Sequence, residues 1–390
     1  MSSQSVLILT SNTGGGHRSA ANALENSLTI QSAGELLIKM TQVLEESHLF
    51  SRKAADLYNF LLRDHQNLMK YYFWLINNVR LHESKFLFKS ALGYGVKLFD
   101  KMVPNVIVSV HPMTQHFFAH VLRKLNLQDR IPLLTVVTDP YRGFWKGWAC
   151  DDVSQYYVAS SSARQQLIEF GVPDYKIQIS GMPVHSSFQP ATPLEKRILR
   201  HELELSPEKF TVFLNAGWVG GGNIPGIYES LIQGGQNSEL PIQVIFLAGC
   251  NEALKYQAEQ MAQSAPFDVR VLGSTDKMPT LMRASDVLVS KLGGLTSFEA
   301  LSCRLPIIAD GTTLPMPQEL DTVRELTRTG AAIELGHPDQ IVSVIQSLVS
   351  SPNRYHSLLS AADSHGTPGA SDRIARDVLR YIEPSSWGRN

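Results

Sequence analysis

Only three cysteines occur in 390 residues (Cys150, Cys250 and Cys303), far apart and without a CxxC pair. That spacing excludes a disulfide scaffold and a thiolate zinc site, and it points to a reducing compartment. Long apolar runs are missing too. No stretch reaches the roughly 18 apolar residues that a membrane-spanning helix needs. The opening MSSQSVLILTSNTGGGH has no basic region, and its apolar run is Val6 to Leu9 alone, too short for a secretory signal. A cytoplasmic protein is expected. Charge of one sign is not in excess either: 35 Lys and Arg stand against 36 Asp and Glu, a formal net charge of −1. A dedicated nucleic-acid binder carries a basic surplus, so nucleic acid is not an expected partner. No Asp-x-Asp metal pair is evident, and no essential metal or other cofactor is expected.

What is present is a globular mixture, 43% apolar and 18% charged, long enough for two large domains. Short apolar runs alternate with longer amphipathic stretches. Strands are expected at about 5–10, 35–40, 105–110, 132–138, 155–159 and 176–180, then at about 210–215, 242–248, 268–272, 286–290, 305–309 and 331–335. Most are rich in Val, Ile and Leu on both faces, the pattern of parallel strands covered by helices on either side. The segment GMPVHSSFQPATPLEKR (181–197), with three prolines, interrupts the series as a linker does. The fold class expected is α/β, two Rossmann-like domains over 1–189 and 190–365. A terminal amphipathic helix lies at 372–382 within the tail 366–390.

The strongest local motif is SNTGGGH, directly after the first strand and before helix-compatible sequence. Gly14, Gly15 and Gly16 let a ligand approach the backbone, and the helix start beyond favours negative charge. His17 follows, at a strand's carboxyl end where open α/β sheets bind ligands, and a neutral imidazole there can take a proton from a hydroxyl. The plainer alternative is a glycine turn with a capping histidine. SVHPMTQH and TVVTDP end the next strands and bring His111, His116 and Asp139 toward the same end of the sheet. Asp139 can orient a histidine or act as a base, or simply open an Asp-Pro turn.

The second half has its own cluster, KLGGLTSFEAL. Its Gly293-Gly294 turn feeds a helix whose free N–H groups can hold a diphosphate, with Thr296 in the first turn and Lys291 as a helper. The plainer alternative is an ordinary strand–turn–helix with a solvated Glu and Lys291 as a surface charge. Glu299 lies further along that helix, where it can accept hydrogen bonds from ribose hydroxyls. Gln318 and Glu319 offer amide and carboxylate groups to a sugar, and Gly217 opens a flexible loop after this half's first strand.

Taken together, SNTGGGHRSAA, SVHPMTQH, TVVTDP, GMPV and KLGGLTSFEALSCRLPII resemble the monogalactosyldiacylglycerol synthase and processive diacylglycerol glucosyltransferase family, which is related to MurG. The resemblance covers most of the chain. It implies a GT-B fold, with an N-terminal acceptor domain facing a C-terminal UDP-sugar domain across a cleft and a final helix returning to the first domain. It implies His17 as catalytic base, Glu299 on the ribose, Gln318 and Glu319 on the donor sugar, and Asp139 as the aspartate of a Thr-Asp pair. Three positions depart from the family pattern. Asn12 stands where the family has Asp before TGGGH, Leu292 where it has Pro, and the GQExxN pattern reads Pro317 to Thr322 without its Gly and Asn. The last change leaves the donor hexose open.

Residues 51–101 carry nine Lys or Arg against four acids, and ten of the chain's aromatics, among them Tyr71, Tyr72, Phe73 and Trp74. Basic, aromatic segments of this kind sit on anionic lipid surfaces; the alternative is a helical excursion whose aromatics are core. Trp145 and Trp148 either extend that face or fill a loop. The expectation is a UDP-sugar-dependent hexosyltransferase, inverting because the acceptor displaces UDP directly. It would move galactose or glucose to diacylglycerol as a cytoplasmic protein peripherally bound to the membrane. Alternatives are a polyprenyl or soluble acceptor, a UDP-sugar epimerase, and a non-catalytic binder of nucleotide-sugar or lipid.

Overall fold

Runs such as SVLILT and FTVFLN carry branched apolar side chains on both faces, and such strands are stable only where both faces are covered. The computed structural model describes residues 4–12, 15–47, 57, 60, 85–218, 222–238 and 240–382, with the backbone alone at 85–91. β1 (Ser5–Thr10), β2 (Leu37–Gln42), β3 (Val106–Ser109), β4 (Leu133–Val136), β5 (Gln155–Val158) and β6 (Ile177–Ile179) form one sheet in the order β2-β1-β3-β4-β5-β6. β7 (Phe210–Asn215), β8 (Ile242–Leu247), β9 (Asp268–Leu272), β10 (Val287–Ser290), β11 (Ile307–Asp310) and β12 (Ala332–Leu335) form the other, β12-β11-β10-β7-β8-β9. Every pairing is parallel. β1, β3, β4, β8, β10 and β11 are buried along their whole length.

Among the described residues the chain makes two compact units. One runs to Ser186 and resumes at Gly369; the other is Ser187–Pro368. Each unit encloses its own apolar core, around Leu7, Phe117, Trp148 and Tyr156 in the first and Val212, Ile227, Tyr228 and Phe246 in the second. The linker ends at Thr192, which forms a capping box with Glu195 for the helix Pro193–Glu202. Arg200 of that helix is buried and ties it to the second core, bonding Ala284 O, Pro207 O and the Asp286 carboxylate.

The last described helix, Ala370–Arg380, buries Ile374, Ala375 and Val378 against the first unit. Tyr157 Oη donates to Asp377 Oδ2 at 2.8 Å, and Ser371 Oγ to Val184 O at 2.7 Å. The return of this helix to the N-terminal half is therefore a feature of the structure. Most of the basic, aromatic segment 51–101 lies outside the described residues, Tyr71 to Trp74 included. Its described end, within the helix Lys85–Phe99, is core: Leu98 and Phe99 are buried, and Phe99 meets Phe118 edge to face at 6.1 Å.

Candidate active site

In each sheet the chain winds outward from one strand in one direction and then in the other, leaving a point where the order reverses. That point lies between β1 and β3 in the first unit and between β7 and β10 in the second. At such points the connections leave toward opposite faces, and the carboxyl ends of the two strands open a crevice where α/β proteins bind ligands.

In the first unit His17 occupies that position. It lies in the first turn of the helix Gly15–Gln31, so the helix starts earlier than the glycine run suggests, with Gly15 and Gly16 inside it. Gly14 is outside the described residues. His17 Nδ1 is 2.8 Å from Val110 O, at the end of β3, and 3.0 Å from Thr138 Oγ1, beyond β4. A carbonyl oxygen only accepts, so Nδ1 carries the proton and Nε2 carries the lone pair. No described residue occupies Nε2. Burial pushes the imidazole down to about 4 from 6.5, against the opposing pull of the Val110 carbonyl. The ring is thus neutral at physiological pH, with one nitrogen fixed as donor and the other open as a base.

The groups around it hold it there. His111 caps the helix Pro112–Lys124, its Nδ1 accepting from Met113 N at 3.2 Å, and its ring meets His17 edge to face at 4.6 Å. Burial, and secondarily the neighbouring His17, holds His111 well below its ordinary value. Asp139 Oδ2 accepts the Trp148 indole N–H at 2.7 Å, and the Trp148 ring lies 6.2 Å from that of His17. Trp148 is therefore buried beside the site and is not part of a membrane-facing surface. His116 Nε2 donates to Gly147 O at 2.8 Å, and Gln115 Nε2 to Gly147 O and Trp148 O. His116 thus ties the helix Pro112–Lys124 to the turn carrying Trp148.

The second unit presents an uncapped helix start at its strand reversal. The helix Gly294–Ser302 begins with no side-chain cap, and the first-turn N–H groups of Gly294, Leu295 and Thr296 have no acceptor within the helix. A side chain at Gly293 would touch only Glu319 Oε1, at 3.9 Å, so neither backbone nor packing demands a glycine. What glycine provides is open access to those N–H groups. Lys291 Nζ lies 3.2 Å from Glu319 Oε2, both side chains largely buried. Glu319 also caps its own helix, Pro317–Arg328, by accepting Met316 N at 3.1 Å. Gln318 stands beside it, and Glu299 is buried on the uncapped helix. Gly217, at φ +79°, is held by Asn215 Oδ1 at the end of β7.

Several contributors escape a reading of the sequence. Val110 acts through its carbonyl, which no residue type announces. Thr138 sits within TVVTDP, where the adjacent Asp-Pro is the stronger local signal. Glu45, whose Oε1 receives Ser11 Oγ and Asn12 N at 2.8 Å each, lies in an unremarked stretch. Among the described residues no group of three His, Cys, Asp or Glu side chains is arranged to hold a metal ion.

Two parallel six-stranded sheets on separate units, each presenting polar groups at its strand reversal, make the GT-B fold. The fold is similar to that of MurG from Acinetobacter baumannii, with a TM-score of 0.61 and 14% identity over 97% of this chain and 99% of that one. In sequence, the monogalactosyldiacylglycerol (MGDG) synthase family matches residues 17–184. The chain is 29% identical over 350 residues to monogalactosyldiacylglycerol synthase 3 of Arabidopsis thaliana, covering 88% of this chain and 73% of that protein. It is 24% identical over 387 residues to the processive diacylglycerol β-glucosyltransferase of Bacillus licheniformis, covering 97% and 96%. Over most of its length the chain is similar in sequence to monogalactosyldiacylglycerol synthases and processive diacylglycerol glucosyltransferases.

Proposed function

We propose that the chain is an inverting hexosyltransferase that moves galactose or glucose from a UDP-sugar to diacylglycerol. The observation that carries the chemistry is His17, whose Nδ1 is committed to Val110 O while Nε2 keeps its lone pair. In the reaction Nε2 takes the hydroxyl proton of the acceptor as its oxygen bonds to C1 of the hexose. The C1–O bond to the diphosphate breaks, and UDP leaves with the electron pair. One displacement inverts the anomeric carbon. The N–H groups of Gly294 to Thr296 and the Lys291 ammonium receive the charge that develops on the diphosphate. These fixed donors support a reaction that needs no metal, and turnover is expected to survive EDTA. Glu299 is assigned to the ribose, Gln318 and Glu319 to the hexose.

Among the described residues no helix is long and apolar enough to cross a membrane. A lipid acceptor then calls for peripheral attachment at the cytoplasmic face, and the basic, aromatic segment 51–101 is its proposed means.

The test is UDP release by the purified chain with diacylglycerol in anionic vesicles, UDP-galactose and UDP-glucose in parallel, and separation of the lipid products. Diacylglycerol-dependent release with a new glycolipid is expected, together with a loss of about 10²–10⁴-fold in H17A. Near-normal turnover in H17A removes His17 from the mechanism. Isomerisation of the donor without lipid would instead make the chain an epimerase, release with a polyprenyl or soluble acceptor would change the acceptor, and UDP binding without turnover would make it a sensor.

A further inference from the structure

Asp310 ends β11 as a buried carboxylate that the sequence motifs do not touch. Its Oδ2 accepts from Asn223 N at 2.7 Å and Thr313 Oγ1 at 2.9 Å. Its Oδ1 accepts from Thr312 N at 3.0 Å and Thr312 Oγ1 at 2.6 Å. A carboxylate has about four acceptor positions, and all are used by protein donors, so none remains for a substrate. Thr312 Oγ1 also receives Asn223 Nδ2 at 3.0 Å, closing a ring of three residues.

The placement of that ring gives it a role. β10 lies between β7 and β11. Asn223 starts the helix that follows β7, and Thr312 and Thr313 follow β11, so the ring bridges over the carboxyl end of β10, where Lys291 emerges. Gly222 passes close beneath it, at φ +82°, where a Cβ would lie 3.0 Å from Asp310 Oδ2 and 3.8 Å from Lys291 Cβ. The same segment continues from Thr313 to Gln318 and Glu319, and Glu319 carries the bond to Lys291. The geometry points to Asp310 as a positioning residue for donor binding. It clamps the connections after β7 and β11 across β10 and thereby sets Lys291, Gln318 and Glu319 against the uncapped helix start. The inference rests on the donor-site reading of this unit.

Asp310→Asn would turn an N–H₂ toward buried N–H and O–H donors, leaving them unsatisfied. D310N is expected to weaken UDP binding, measured by titration calorimetry, about tenfold. The KM for the UDP-hexose should rise in parallel, with kcat at saturating donor within about threefold and the acceptor KM unmoved. T312V removes only the bridging hydroxyl at nearly constant volume and is expected to weaken UDP binding several-fold, whereas T312S restores most of the loss. If D310N does not fold, the T312V and T312S pair decides. UDP affinity unchanged in folded D310N or T312V, or a fall in kcat with donor KM unmoved, overturns the positioning role. Wild-type protein that fails to bind UDP refutes instead the donor-site reading on which it stands.

Discussion

Lowering the pH from 8 to 5 is expected to leave hexose transfer nearly unchanged, which is not how a catalytic histidine ordinarily behaves. Burial holds His17 at about 4, not 6.5. At pH 5 such a group is still about nine-tenths neutral, while an ordinary imidazole would be about 3% neutral, a difference of about thirtyfold in working base. The assay is kcat/KM for UDP release across pH 3.5–8, which reports the free protein's essential base. The acid limb should fall near 4. The same burial sets a sign for stability. Unfolded, His17 binds a proton near 6.5; folded, only near 4. Its contribution is thus complete above 6.5 and is lost as pH falls toward 4. The amount is at most on the order of 3 kcal/mol. His111, held well below its ordinary value mainly by burial, acts in the same direction. H17Q should therefore flatten the loss of stability between pH 6.5 and 4 without abolishing it. An acid limb at 6.5 that is absent from the residual activity of H17Q would refute the argument, because it would show a solvated His17.

Three further outcomes can be measured. Glu299→Ala should weaken UDP-sugar binding, read by calorimetry, and an unchanged affinity would move the ribose contact to another residue. Arg200→Met removes a buried cation from Asp286 and from two carbonyls, leaving partners desolvated at a cost of about 3 kcal/mol. The melting transition should drop by several degrees, and an unchanged transition would mean that Lys196 and Thr211 N satisfy Asp286 without it. Binding to anionic vesicles should weaken steeply as salt rises from low to physiological strength, since exposed charges are screened beyond about 10 Å at 0.1 M. Salt-independent binding would assign attachment to apolar contact alone.

The strands were legible because their cause is local. A run such as VLVS or FTVFLN needs only its own side chains to require cover on both faces, and each run proved to be a strand within a residue or two of its expected place. The glycine-rich turns were legible for a similar reason, since backbone N–H groups at a helix start are present whatever the tertiary context. Strand order is different in kind. β1 lies against β3 and β10 against β7, pairs separated by about a hundred and about seventy-five residues, so the contacts across those pairs leave no periodic trace. Val110 O on His17 is one such contact, and Asp310 on Asn223, reaching from β11 across β10 to the segment after β7, leaves as little trace. Asp139 shows the consequence. Its Thr-Asp-Pro setting marks this strand end, where its side chain accepts the Trp148 indole N–H and the neighbouring Thr138 lies at His17 Nδ1. A motif thus marks which strand end carries polar groups. Which of its side chains reaches the reacting group is decided by the strand placed beside it.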